Sequence, residues 1–187
     1  IRDRCCRLTK KVNNLPRGEI FCKIVLLICA IIEKNSAVLH GGGIMTESRE
    51  LDGIHFLFPV GEKTPEKGQK SFTGGDVYHF MFIPHESKLN CPLGNVTYTP
   101  GSRNSWHAHP GLQVLLITYG RGWYQEEGKA PRELTAGDYV VVEPGVKHWH
   151  GAAKDSYMAQ LGFVANCPED STLTFEHVSD EEYAKLP

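Results

Sequence analysis

The 187-residue sequence has little that would tie it to a membrane, to nucleic acid or to a disulfide framework. Its apolar stretch at residues 20–32, Ile-Phe-Cys-Lys-Ile-Val-Leu-Leu-Ile-Cys-Ala-Ile-Ile, is interrupted by Lys23 and falls short of the roughly 20 residues a bilayer-spanning helix needs. No Cys-x-x-Cys pair occurs among the six cysteines, which argues against a zinc ribbon or a thioredoxin-type site. Neither charge dominates: 20 Lys and Arg stand against 22 Asp and Glu, for a net charge of −2. The basic excess typical of nucleic-acid binders is therefore absent. There is also no long stretch of 3.6-residue hydrophobic periodicity, no internal repeat and no low-complexity tract.

What is present is unevenly distributed. Residues 1–44 hold eight Lys and Arg against three Asp and Glu, and four of the six cysteines; the remainder is acidic and keeps only Cys91 and Cys167. Such a shift marks a boundary. The basic stretch ahead of residues 20–32 is similar to the n-region of a signal peptide, but it is long, and Asn35-Ser36-Ala37 is a poor cleavage site. A short element lying against the domain is a second reading. A third takes Met45 as a candidate start, with residues 1–44 an extension outside the native protein. The expected organisation is an extension over 1–44, an arm over 45–72 that packs on a neighbouring surface, a β-domain over 73–178, and a C-terminal helix and tail over 179–187. Two widely spaced cysteines in the main domain read as reduced thiols of a cytoplasmic protein.

From residue 72 onward, short β-rich runs alternate with Gly, Pro and Asn. The expected strands are Val77–Ile83, Asn95–Tyr98, Gln113–Tyr119, Gly122–Gln125, Tyr139–Glu143, Tyr157–Val164 and Thr172–Glu176. Turn signals separate them, among them Pro100-Gly101, Pro110-Gly111, Gly120-Arg121-Gly122 and Pro144-Gly145. Many short strands at this spacing indicate a sandwich or a closed barrel. Ser179-Asp180-Glu181-Glu182 has the pattern of a capping box that opens one short helix.

Chemistry concentrates in two His-x-His pairs. His107 and His109 stand at i and i+2, a spacing that puts both imidazoles on one face of a strand. Gln113 follows with the same parity after Pro110-Gly111. His148 follows Pro144-Gly145 on a later strand, with His150 at i+2. Three imidazoles and an amide oxygen (His107, His109, Gln113, His148) are a plausible ligand set for one first-row divalent metal, with His150 in the pocket beside it. His40, His55, His79, His85 and His177 read as ordinary core or surface residues.

At these residues the sequence resembles the cupin superfamily. Gly101, His107, His109 and Gly120 match its first motif, with Gln113 where Glu is usual. Gly137, Gly145 and His148 match its second, with Glu143 and Ala152 where Pro and Asn are usual. A closer similarity runs through Trp106-His107-x-His109-Pro110-Gly111-x-Gln113, Gly120-x-Gly122-Trp123-x-Gln125 and Lys147-His148-Trp149-His150-Gly151-Ala152. These segments resemble bacterial single-barrel cupins that include manganese-dependent hydroxynitrile lyases and proteins associated with carboxymuconolactone-decarboxylase-like domains. Phe58-Pro59-Val60-Gly61 and Phe72-Thr73-Gly74 look like the same group. The resemblance implies an all-β, double-stranded β-helix or jelly-roll barrel with a short C-terminal helix. It also implies the three-His, one-Gln metal set and a homodimer. The lyase members carry a base twelve residues after the last ligand; Gln160 occupies that position here.

A neutral Gln in place of Glu leaves the metal its full double charge and makes it a stronger Lewis acid. Mn²⁺ or Fe²⁺ suits this set, and Ni²⁺, Zn²⁺ and Cu²⁺ would also bind. Trp106, Trp149, Tyr98 and Met158 are expected as pocket walls, His150 as general acid or base, and Gln160 as a residue that orients a substrate carbonyl or hydroxyl. The expected activity is lyase, isomerase or decarboxylase-type chemistry on a small oxygenated or carbonyl compound. An Fe²⁺ dioxygenase and a non-catalytic small-molecule sensor remain open. Neither nucleic acid nor a membrane is an expected partner.

Overall fold

The computed structural model describes residues 47–65, 71–84, 87, 90–166 and 171–187. Residues 47–187 form one compact unit; the expectations placed on residues 1–44 lie outside the described residues. The unit is almost entirely antiparallel β-structure. In chain order the strands are β1 (Glu50–Leu51), β2 (Ile54–His55), β3 (Glu62–Lys63), β4 (Phe72–Thr73), β5 (Val77–Ile83), β6 (Leu93–Tyr98), β7 (Arg103–Asn104), β8 (His107–Ala108), β9 (Gln113–Glu126), β10 (Arg132–Thr135), β11 (Tyr139–Val142), β12 (His148–Ala152), β13 (Met158–Val164) and β14 (Leu173–Thr174), followed by helix α1 (Asp180–Ala184).

Two strand layers face each other, as a jelly roll requires. One runs β3-β5-β6-β13-β9-β11; the other joins β10, β9, β12, β8 and β14, with β7 and β4 beside β12. The arm residues enter this pattern within the chain: β3 pairs with β5 and β4 with β7. Alternation along each strand sends one set of side chains inward. Val77, Tyr98, Leu115, Ile117, Leu134 and Val140 form the core between the layers. A second cluster, with Trp123, Trp149, Val178, Tyr183 and Leu186, packs α1 onto the outer side of β12.

The expected capping box is formed. The Ser179 hydroxyl accepts from the Glu182 amide, and the Glu182 carboxylate accepts from the Ser179 amide. Buried Arg103 fastens this end by donating to the Val178 carbonyl through Nε and Nη2, at 3.2 and 2.9 Å. No helix among the described residues is long and apolar enough to cross a membrane.

The structure corrects one turn. Gly120-Arg121-Gly122, expected to separate two strands, lies inside the single 14-residue strand β9. Residues 113–120 of β9 pair with β13, and residues 122–126 pair with β12, so one strand passes from the first layer to the second. Gly120 makes the bend possible. Its φ is +69°, and a Cβ there would sit 1.8 Å from the Tyr157 carbonyl oxygen. The register against β13 slips next to it, between Ala159 and Gln160. Glycine is thus used to kink a strand rather than to end it. Gly120→Ala is expected to cost more than about 1 kcal/mol of unfolding free energy, measured by urea denaturation, because the backbone conformation and the adjacent carbonyl both reject a side chain.

Candidate metal centre

Strand pairing brings the two His-x-His segments together. β8 and β12 are neighbours, and His107 lies directly opposite His148. Their ring centroids are 4.1 Å apart. One ligand nitrogen from each of His107, His148 and His150 lies within 4.8 Å of the others, a triad able to hold a metal ion. His109, half-buried and expected as a ligand, lies outside this triad, in which His150 stands instead; Gln113 links it to the cluster, with its amide nitrogen 3.0 Å from His109 Nε2 and its Oε1 2.9 Å from His148 Nε2. Gln113 opens β9 and reaches the cluster from the opposite side to β12.

Hydrogen bonds decide which nitrogens are free. A carbonyl oxygen only accepts, so His107 Nδ1–H donates to Ser105 O at 3.0 Å and His148 Nδ1–H donates to Val146 O at 2.9 Å. Each ring therefore turns an unprotonated Nε2 toward the cluster, the orientation that outer hydrogen bonds impose on metal-binding imidazoles. Burial pushes the His107 pKa well below its usual value, and the neighbouring His148 and His109 push it further. Burial lowers that of His148 as well. The rings are held neutral, as ligation demands. Either end of the Gln113 amide can meet His148 Nε2 at 2.9 Å; with the oxygen inward, that oxygen and the unprotonated nitrogens of His107 and His148 make a neutral oxygen and imidazole donor set that fits a divalent metal.

His150 is fully buried and bonded on both sides. Its amide donates to Asn104 Oδ1 at 2.8 Å, which turns the Asn104 amide nitrogen toward His150 Nε2 at 3.1 Å. Nε2 is thus an acceptor and Nδ1 carries the proton. Nδ1 lies 3.3 Å from the Gln160 amide nitrogen and 3.4 Å from the Tyr98 hydroxyl. Gln160 Oε1 is buried without a partner among the described residues. Turning that amide over gives Nδ1–H an acceptor and directs the Gln160 amide nitrogen elsewhere, an exchange the hydrogen-bond network favours.

A cavity of about 380 Å³ opens beside these groups, lined by His107, His109, Gln113, His150 and Gln160 and, on its apolar side, by Phe72, Val96, Tyr98, Leu115 and Phe163. Of the four walls expected from sequence, only Tyr98 borders it. Trp149 packs in the outer cluster with Trp106 against it, and Met158 lies in the inner core. Strand parity explains the tryptophans: Trp149 alternates with the inward-facing His148 and His150, and Trp106 adjoins His107. Three contributors were not visible in the sequence. Asn104 fixes His150, Thr172 Oγ1 contacts His109 Nδ1 at 3.1 Å, and His79, read there as an ordinary residue, lines the cavity. His55 and His177 are exposed, and His40 and His85 lie outside the described residues.

The comparisons with known proteins agree with this architecture. The (R)-mandelonitrile lyase of Granulicella tundricola is 44% identical over 126 residues, covering 67% of this chain and 96% of that enzyme. The chain belongs to the cupin family. The cupin-domain family model matches residues 94–164 of this cupin. A cupin-like protein from Thermotoga maritima is 38% identical, with a TM-score of 0.64 over 69% of this cupin and 95% of that chain. At 18% identity, a cupin 2 conserved barrel domain protein from Rhodopseudomonas palustris covers 66% of this cupin and 80% of its own chain with a TM-score of 0.50, which speaks to the fold alone.

The buried imidazoles have a consequence for stability. Folding depresses the pKa values of His79, His107, His148 and His150 below 6.5, chiefly through desolvation. Below pH 6.5 the unfolded chain binds protons that the native state refuses, so stability is complete above that value and is lost as pH falls toward the native-state pKa values. The thermal midpoint of the chelator-treated protein is expected to drop steadily between pH 7 and pH 5. A midpoint constant over that range would show that these rings are already solvated.

Proposed function

We propose that this cupin is a divalent-metal-dependent lyase acting on a small 2-hydroxy compound with an apolar substituent, a 2-hydroxynitrile being the best-supported substrate. The observation that carries the reading is the cavity itself: neutral imidazoles with bare nitrogens at one end, and Phe72, Val96, Leu115 and Phe163 along its side. The 44% identity to an (R)-mandelonitrile lyase supports the same chemistry.

In this reading His107, His109, Gln113 and His148 hold the metal, Mn²⁺ or Fe²⁺ by ligand type. His150, whose nitrogens are engaged by Asn104 and by the Gln160 and Tyr98 side, stands behind them. A bound divalent ion supplies Lewis acidity toward a substrate oxygen. The chain's residues do the rest. The aromatic and aliphatic wall takes the substituent out of water and orients it. The Gln160 amide, held by His150, offers a hydrogen bond to the substrate's polar group. His150, neutral and with Asn104 on its acceptor nitrogen, donates a hydrogen bond through Nδ1–H toward Gln160 and so orients that amide.

Elemental analysis of the purified protein tests the metal set. Wild type is expected to carry about one divalent ion. His107→Ala and His148→Ala are expected to lose most of it, Gln113→Ala less, and His150→Ala almost none. Full metal in both His107→Ala and His148→Ala would overturn the site. Release of benzaldehyde from mandelonitrile by the Mn²⁺- or Fe²⁺-loaded protein tests the reaction. Failure to release it, together with iron-dependent oxygen uptake, would replace the lyase by a dioxygenase.

A further inference from the structure

We propose that His79 is the general base of this cavity. The proposal rests on the lyase reading above, and it follows from which nitrogens the cavity leaves free. Four histidines line the space: His79, His107, His109 and His150. His107 turns its bare nitrogen to the metal cluster. His109 contacts Thr172 through Nδ1 and Gln113 through Nε2. His150 has Asn104 on one nitrogen and Gln160 with Tyr98 on the other. His79 differs. Its Nδ1 lies 2.9 Å from the Thr64 hydroxyl; the proposed base is the tautomer in which Nδ1–H donates to Thr64 Oγ1, which leaves Nε2 unprotonated and without a hydrogen-bond partner among the described residues.

The fold places this nitrogen where a substrate would meet it. His79 on β5 is opposite Val96 on β6, and Val96 is opposite Gln160 on β13. Directly opposed residues share one face of a sheet. His79 and Gln160 therefore flank Val96 in a single row, two strand spacings or about 10 Å apart at the backbone. A small hydroxy compound seated over Val96 lies between them. Phe72 packs against His79, with ring centroids 5.4 Å apart and the planes tilted by 57°. Burial lowers its pKa and so keeps the resting ring neutral.

The step balances without any further reactant. His79 Nε2 takes the hydroxyl proton of the 2-hydroxynitrile. The O–H electron pair becomes the second carbon–oxygen bond, and the bond to the nitrile carbon breaks with its pair leaving on cyanide. The imidazolium then gives its proton to cyanide, so the products are an aldehyde and hydrogen cyanide, and His79 returns to the neutral state.

His79→Gln separates this role from packing, because the amide can still bond Thr64 but cannot take a proton. In the metal-loaded protein the variant is expected to keep its metal and its KM, and to lose about 100-fold or more in kcat for mandelonitrile. An unchanged kcat in a folded, metal-loaded variant would overturn the proposal. A second readout does not depend on turnover. Diethyl pyrocarbonate modifies bare neutral imidazoles, so in the metal-loaded wild type His79 is expected to be labelled ahead of His107, His148 and His150, and to be protected by benzaldehyde, as read by peptide mass mapping. A His79 that resists labelling, or that benzaldehyde does not protect, would also overturn the proposal, whatever the stability of the variant. Wild type that cleaves no mandelonitrile while His79 is labelled and protected would overturn the lyase reading alone and still support His79 as the cavity's free base.

Discussion

Two backbone carbonyls, those of Ser105 and Val146, decide what the centre of this protein can do. Each takes the Nδ1 proton of the histidine two residues further on, at 3.0 and 2.9 Å, and so leaves Nε2 of His107 and His148 as bare donors turned toward each other's strand. The pairing of β8 with β12 brings these rings to 4.1 Å between centroids, tilted by 52°. Burial then removes the solvation that a charged imidazole needs, which keeps the rings neutral. Two like groups so close would repel strongly if charged, which is why the site holds together only with neutral rings or with a cation among them. The rest of the barrel serves this arrangement. Gly120 lets β9 cross between layers so that Gln113 and Tyr124 of one strand both border His148, and Arg103 with α1 closes the outer side of β12.

Much of this was legible in the sequence because strand parity is a strong rule. His107 with His109, and His148 with His150, share faces as their spacing requires, and their Pro/Gly turns mark where each strand starts. The capping box at Ser179 and the strand at Val77–Ile83 were equally plain, and the strand expected over Tyr139–Glu143 is observed over Tyr139–Val142. The same rule sends Trp106 and Trp149 away from the cavity and into the outer cluster, although their aromatic type suits a pocket wall. Gly120 was read as a turn because glycine ends strands more often than it bends them; nothing local shows that a carbonyl of β13's lead-in segment needs the space of its missing Cβ.

His79 and Asn104 were not legible, and the reason is physical. Each acts through a partner far along the chain: His79 through Val96 and Gln160, Asn104 through His150. A cross-strand row exists only once register is set, and register over 80 residues is not encoded in any local pattern. A lone histidine among Tyr78, Phe80 and Phe82 carries no periodic signal of its own. The two His-x-His pairs were readable because their spacing is local; the row that joins His79 to Gln160 is not.

Imidazoles that are neutral before a metal binds release no proton when it does, so proton release on binding measures their state directly. Titration calorimetry of Mn²⁺ into the chelator-stripped protein at pH 6, in two buffers of different ionisation enthalpy, reports the protons displaced. One site releasing fewer than about one proton per metal is expected, because His107 and His148, held below their usual pKa, have no proton to give. Release of about two protons per metal, as three ordinary imidazoles of pKa about 6.5 would give, or no saturable binding at all, would contradict it.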